Sequence, residues 1–191
     1  MYCLPTDITL NDGTVLPIRD KGDFRMVLDC FQIFNDLELT TQERALTSLI
    51  VFYDLEDFDD LDKIPNIEEA YDKMVEFLNA NEHGNNKHKP KLIDWDKDSN
   101  FIFAAVNNVA GKEVRAEEYI HWWTFLGYYM SIGESALSTI VSIRDKIAKG
   151  KKLEKYEQEY QKEHPEYFDW DFRNSSDIEL DNMVREMWNA G

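Results

Sequence analysis

Residues 118–132, EYIHWWTFLGYYMSI, gather Tyr119, Trp122, Trp123, Phe125, Tyr128 and Tyr129 into fifteen positions, with the imidazole of His121 among them. On a helix drawn through this stretch, apolar side chains fall on every side, which places the helix inside a protein or inside a bilayer. Length separates the two. A membrane span needs about 20 apolar residues. Here His121, Thr124 and Ser131 interrupt the run, Glu117, Glu118 and Glu134 flank it, and Gly133 closes it. The stretch predicts the central, buried helix of an all-helical bundle, with rings that supply apolar burial at roughly 25 cal/mol per Å². Gly127 in mid-helix costs about 1 kcal/mol against alanine, and close approach by a neighbouring helix is the compensation expected.

The 191-residue sequence as a whole is acidic, with 38 Asp and Glu against 21 Lys and Arg, a formal charge of -17. Its 43% hydrophobic and 13% aromatic content belongs to a folded chain, because disordered acidic chains lack the apolar side chains that offset conformational entropy. The field of such a chain repels phosphate, so neither nucleic acid nor an anionic membrane surface is expected as a partner. The start, MYCLPTDITLNDGTVLPIRD, has neither the basic region nor the apolar run of a signal peptide, so a cytosolic protein is expected. Cys3 and Cys30 read as reduced packing residues rather than a bridge.

Periodicity divides the chain into a hairpin and helices. Short β-prone runs flank Asn11-Asp12-Gly13, a turn that tolerates positive φ, so residues 6–19 predict a β-hairpin. Phe24, Val27, Leu28 and Phe31 then share one face of a helix over 21–35. Thr40 with Glu43 is a capping box ahead of a stripe of Leu46, Leu49, Ile50 and Tyr53. Asn66 with Glu69 starts a third helix, with Ile67, Tyr71, Met74, Val75 and Leu78, that ends near Ala80. Two surface segments separate these elements: DLEDFDDLD at 54–62 and the turn-rich NEHGNNKHKPK that begins at Asn81. Phe101, Ile102, Ala105, Val106 and Val109 predict a fourth helix stopped by Gly111. After the ring-dense helix comes one over 135–149 with Leu137, Ile140, Val141 and Ile147, and then a polar one with Leu153, Tyr156 and Tyr160 that stops before His164-Pro165. The fold expected is mainly α, a bundle of about six to eight helices with a small N-terminal β-hairpin. Residues 1–164 are expected to form one domain. Residues 165–191 are expected to form a connector and a short amphipathic helix, on which Leu180, Met183, Val184, Met187 and Trp188 make an apolar stripe. That stripe either docks on its own domain or grips a partner, since methionine adapts to irregular apolar surfaces.

No spacing of chemical groups points to catalysis, a metal or a cofactor. Asp94, Asp96, Asp98 and Asn100 alternate as a calcium loop begins, but Ser99 stands where its glycine belongs and Ala105 where its bidentate glutamate belongs. These acids are expected to cap the helix that follows. His83, His88, His121 and His164 form no pair at the spacing of a zinc protease. GESAL at 133–137 lacks the second glycine of a nucleophile elbow. An enzyme is not expected.

Within residues 92–164, LIDWDKDSNFIFAAVNNVAG, YIHWWTFLGYYMSIGES and LSTIVSIRDKIAKGKKLEKYEQEY resemble the gene-product-fifteen family of long-tailed bacteriophages and prophages of Gram-positive bacteria. The Trp122-Trp123 pair, the Gly-Tyr-Tyr-Met of 127–130 and the run RDKIAKGKK carry the resemblance; LPIRDKGDFRMVLDCFQIFND and LTTQERALTSLIVFYD fit it more loosely. The resemblance implies a tail assembly chaperone in the host bacterial cytoplasm, a non-enzymatic protein with the tape-measure protein and the major tail protein as partners, and allows self-association. It brings no catalytic residues and no cofactor. A different class of function, an acidic mimic of nucleic acid that inhibits a host defence nuclease, is the alternative that the charge alone allows.

Overall fold

Asn11-Asp12-Gly13 turns the chain back on itself between Leu10, whose N–H donates to Thr14 O at 2.8 Å, and the returning strand, with Gly13 at φ +90°. A type I turn followed by a left-handed glycine is a common three-residue hairpin connection. It joins β1, Asp7–Thr9, to β2, Val15–Pro17, antiparallel with Ile8 opposite Leu16. The computed structural model describes residues 3–80 and 90–169. Among them the hairpin is followed by seven α-helices: α1 Phe24–Asn35, α2 Thr41–Phe52, α3 Ile67–Leu78, α4 Ser99–Ala110, α5 Trp122–Met130, α6 Ala136–Ala148 and α7 Lys155–Glu163. The mainly helical fold with a small N-terminal hairpin is the one the sequence predicts.

The chain divides into two compact units. The described part of the first holds the hairpin, α1 to α3 and residues 117–126; that of the second holds residues 90–116 and 127–169. α1 begins at Phe24 rather than at 21, because Arg19–Lys21 form a separate 3-10 turn and Asp20, Lys21 and Gly22 take φ of 48°, 55° and 79°. Three left-handed residues in a row end one helical turn before Asp23 caps the next. Thr40 and Glu43 close the capping box of α2 as expected. The buried face of α2 is rotated from the expected stripe: Ala45, Ser48, Leu49 and Phe52 are enclosed, while Leu46 and Ile50 are half-buried. Ser48 fits there because its hydroxyl donates to Ala45 O at 2.8 Å. Phe24, Val27, Phe52, Met74 and Phe77 complete the core of this unit, and the Tyr53 hydroxyl donates to Ala70 O at 2.7 Å.

In the second unit α4 stops on Gly111 at φ +69°. Ser135 and Ser138 share the capping box that starts α6. Ile140, Ile143 and Phe168 form a core with Phe101, Ile147, Leu153, Tyr160 and Tyr167 against it. Phe168 is buried, so the packed chain runs past 164 into the segment expected as a connector.

The ring-dense helix is shorter and less enclosed than its composition suggests. Residues 118–121 precede it, with His121 bridged to Asp23, and α5 begins only at Trp122. Trp122 and Phe125 are buried, Tyr128 and Tyr129 are half-buried, and Met130 is 62% exposed. Tyrosine tolerates this because its ring can be covered while its hydroxyl meets water. Among the described residues no neighbour closes on Gly127, where an added Cβ meets nothing within 4 Å. Close approach occurs instead at Gly22, where an added Cβ would lie 2.8 Å from Phe77 Cζ and 3.1 Å from His121 Nε2. The two glycines therefore respond oppositely to alanine. Gly22→Ala is expected to cost at least ~1–2 kcal/mol for the left-handed backbone, before any overlap with Phe77. Gly127→Ala is expected to stabilise by ~0.4–1 kcal/mol through lost freedom in the unfolded chain. Urea denaturation of both variants measures the signs.

Candidate functional site

The last carbonyls of a helix have no partner within it and need a donor from elsewhere. At the end of α3 the Trp-Trp pair supplies two: Trp122 Nε1 donates to Leu78 O at 2.8 Å and Trp123 Nε1 to Phe77 O at 2.9 Å. The ring of Trp122 lies 5.8 Å from Phe31, edge to face, and Phe125 stacks on Phe24 with centroids 4.5 Å apart. Phe77 packs against Trp123 at 5.7 Å and against His121 at 5.6 Å.

A short ladder binds the same segment to the start of α1. Phe24 N–H donates to Ile120 O at 2.9 Å and Trp122 N–H to Gly22 O at 2.8 Å. Asp23, 5% exposed, accepts from Ile120 N–H, from Arg25 N–H and from the Arg25 guanidinium, all at 2.9–3.0 Å. Arg25 Nη2 donates onward to Glu117 O at 2.6 Å, and the Tyr119 hydroxyl donates to Lys21 O at 3.0 Å. A shallow cleft lined by Asp20, Lys21, Asp23, Arg25, Glu118 and Tyr119 opens beside this ladder.

His121 is 1% exposed, and both of its nitrogens are used. Trp123 N–H donates to Nδ1 at 3.0 Å, so Nε2 carries the proton of the neutral ring and donates to Pro5 O at 2.9 Å. Burial lowers its pKa below the ordinary 6.5, against the opposing pulls of the Pro5 carbonyl and of Asp23.

In the second unit Arg144 of α6 is 2% exposed and holds three segments together. Its guanidinium grips Asp98 with two bonds, Nη1 to Oδ2 at 2.7 Å and Nη2 to Oδ1 at 3.0 Å. Nη1 also donates to Leu92 O and Nε to Tyr167 O, each at 2.9 Å. A buried pair of this kind is weak evidence of net stability, yet removing one partner strands a charge at a cost of about 3–5 kcal/mol.

Asp94, Asp96, Asp98 and Asn100 do not converge. Asp94 Oδ1 accepts from the N–H groups of Asp96 and Lys97, while Asp98 turns to Arg144 and to Asp94 N–H. The expectation that these acids cap α4 fails at Asp98, whose carboxylate makes no cap bond because Arg144 holds it. Ser135 spends its hydroxyl accepting from Ser138 N–H. No group of three or more potential metal ligands comes together among the described residues. No helix among them is long and apolar enough to cross a membrane. Leu180, Met183, Val184, Met187 and Trp188, together with His83 and His88, lie outside the described residues.

Sequence reasoning missed Arg144, Asp23 and the roles of the two indoles. Arg144 carried a signal, since it lies on the stripe of Leu137, Ile140 and Ile147 where an aliphatic side chain is expected. Asp23 carried a weaker one as an N-cap before Phe24.

A mainly helical chain with an N-terminal hairpin and polar groups committed to its own backbone is what these observations define. A family model described as Bacteriophage Gp15 protein matches residues 11–168. The chain belongs to that family, and so to the proteins of phages. No curated protein and no solved structure matches it.

The histidine gives a pH signature. Its folded-state pKa is lowered, so the unfolded chain takes up the proton first, and the stabilisation is present above pH 6.5 and lost as pH falls toward the folded value. His121→Gln keeps an acceptor for Trp123 and a donor for Pro5 without titrating. Between about pH 7 and about pH 5 the Tm of the parent protein is expected to fall further than that of the variant, as differential scanning calorimetry would show.

Proposed function

We propose that this phage protein is a non-enzymatic tail assembly chaperone of the host bacterial cytoplasm, binding the tape-measure protein and the major tail protein while the tail is built. Membership of the Gp15 family over residues 11–168 carries the reading. The use of the polar groups supports it. His121, Asp23, Asp98 and Ser135, the residues closest to reagents in kind, are each tied to backbone or to a partner side chain. The rings of Trp122 and Phe125 are spent in the protein's own core, so the grip on other chains is assigned to the stripe of Leu180, Met183, Val184, Met187 and Trp188. A net charge of -17 keeps such a holder apart from its own kind at long range. Many weak grips along one long scaffold give avidity without tight binding at any one of them.

The nuclease-decoy reading can draw only on the exposed acids of the single short segment 54–62, because the acids elsewhere that are most firmly placed are internally engaged. Asp23 and Asp98 are buried on arginines, Glu43 closes a capping box and Glu157 is buried against Lys146, whereas a mimic needs its carboxylates free and repeating.

Co-expression with the tape-measure protein of the same phage tests the proposal. The tape-measure protein is expected to move into the soluble fraction and to co-purify with the chain, and Met183→Asp with Met187→Asp is expected to abolish both. Equal insolubility with and without the chain, and no co-purification, would sink it.

A further inference from the structure

The charges are shared unequally between the two units. The described residues of the first hold twenty acids against six bases, and those of the second twelve against eleven. Two short segments mark the extremes. In the first unit, residues 54–62 carry six acids, two of them in ion pairs: Asp54 with Arg19 and Asp60 with Lys63. Glu56, Asp59 and Asp62 are exposed or near-exposed and form no ion pair within the described residues, and the ring of Phe58 stands among them 53% exposed. A 3-10 turn over Phe58–Lys63, capped by Asp57 through the N–H groups of Asp59 and Asp60, fixes the backbone of this segment.

In the second unit the connection from α6 to α7 brings Lys149, Lys151, Lys152 and Lys155 into seven residues, beside the ring of Tyr156 at 58% exposure. Lys149 pairs with Asp145. Lys151 and Lys152 form no ion pair within the described residues, and Lys155, 93% exposed, approaches Glu159 only at 3.9 Å. Glu154, the acid inside this corner, faces Lys146 at 3.8 Å.

We infer that residues 54–62 of one copy dock on the lysine corner, residues 149–155, of a second copy. Among the described residues each side presents exposed charges with no close ion pair, and an exposed ring beside them, and the signs are opposite. An ammonium over the face of Phe58 adds a cation–π contact to the carboxylate contacts. The complement is carried by the same chain, so every copy brings both halves. The two patches differ, so the contact is heterologous, and a line of copies forms wherever the rotation between them does not close. The charge of -17 on each copy opposes approach, but screening confines that repulsion to about 8 Å at physiological salt, while opposed charges at contact distance escape most of it. The inference goes beyond the chaperone proposal and does not depend on it, since it concerns the chain alone.

Sedimentation velocity of the full chain, at rising protein concentration and two salt levels, is the test. At about 0.15 M salt the weight-average sedimentation coefficient is expected to climb with concentration, and the association constant to drop at least ~10-fold by about 1 M salt. A variant with Lys151, Lys152 and Lys155 changed to Glu is expected to stay monomeric. So is one with Glu56, Asp59 and Asp62 changed to Lys. An equimolar mixture of the two is expected to regain association, through the unaltered acidic segment of the first variant on the unaltered lysine corner of the second and through the reversed pair, which also shows that both variants are folded. A parent chain that is monomeric at about 0.15 M salt, association that survives either charge reversal or high salt, or a mixture that stays monomeric overturns the inference.

Discussion

Two indole N–H groups close the C-terminal end of α3, and the first unit is organised around that closure. Leu78 O has its donor in Trp122, and Phe77 O, which also accepts from Ala80 N–H at 2.9 Å, gains a second in Trp123; both indoles come from a segment more than forty residues further along the chain. Because consecutive tryptophans serve consecutive carbonyls, the start of α5 is fixed in both position and direction. The ladder to Gly22 and Phe24 adds main-chain bonds from the other side. Each such bond is worth only about 0.5–1.5 kcal/mol net. Leaving a buried group unpaired costs more, so register is enforced chiefly at Leu78 O and at the indole N–H groups, which a shifted register would orphan. Gly22 belongs to the same arrangement, since only a residue without Cβ lets Phe77 and His121 come so near.

The consequence for function is that the side chains most able to do chemistry are committed. His121 spends one nitrogen as acceptor and the other as donor on main-chain groups, Asp23 has three donor groups around it, and Arg144 joins α6 to residues 92, 98 and 167. Polar networks that are fully satisfied in this way make a fold specific more than they make it reactive. What is left exposed is a mixture of acids, a lysine-bearing corner and single apolar side chains such as Leu37 at 86% and Met130 at 62%. Such a surface fits the proposed holding of other chains by many modest contacts.

Local signals in the sequence were legible where local physics decides. Thr40 and Glu43 mark a helix start that needs nothing beyond four residues, Gly111 marks a stop, and Asn11-Asp12-Gly13 marks a turn. The ring density of 118–132 was legible as burial but not as the place of burial. Its first residues are extended because Asp23, nearly a hundred positions earlier, bridges to His121. Periodicity carries no trace of a partner so remote. Arg144 was legible only as a misfit on an apolar stripe: what it grips, the Asp98 carboxylate and the carbonyls that enclose it, lies too far along the chain for periodicity to show. For the stripe from Leu180 to Trp188 the sequence remains the whole basis, since those residues lie outside the described ones.

Native-state hydrogen exchange at the Ile120 and Trp122 amides tests most directly whether the ring-dense segment is a member of the first unit's core. Both amides donate to groups of residues 22 and 23 rather than to their own helix, so their exchange reports the long-range closure and nothing local. Protection equal to that of the most protected amides of α1, released only by global unfolding, is the expected result. Exchange at the rate of an open loop, with the amides of α1 still protected, would contradict it.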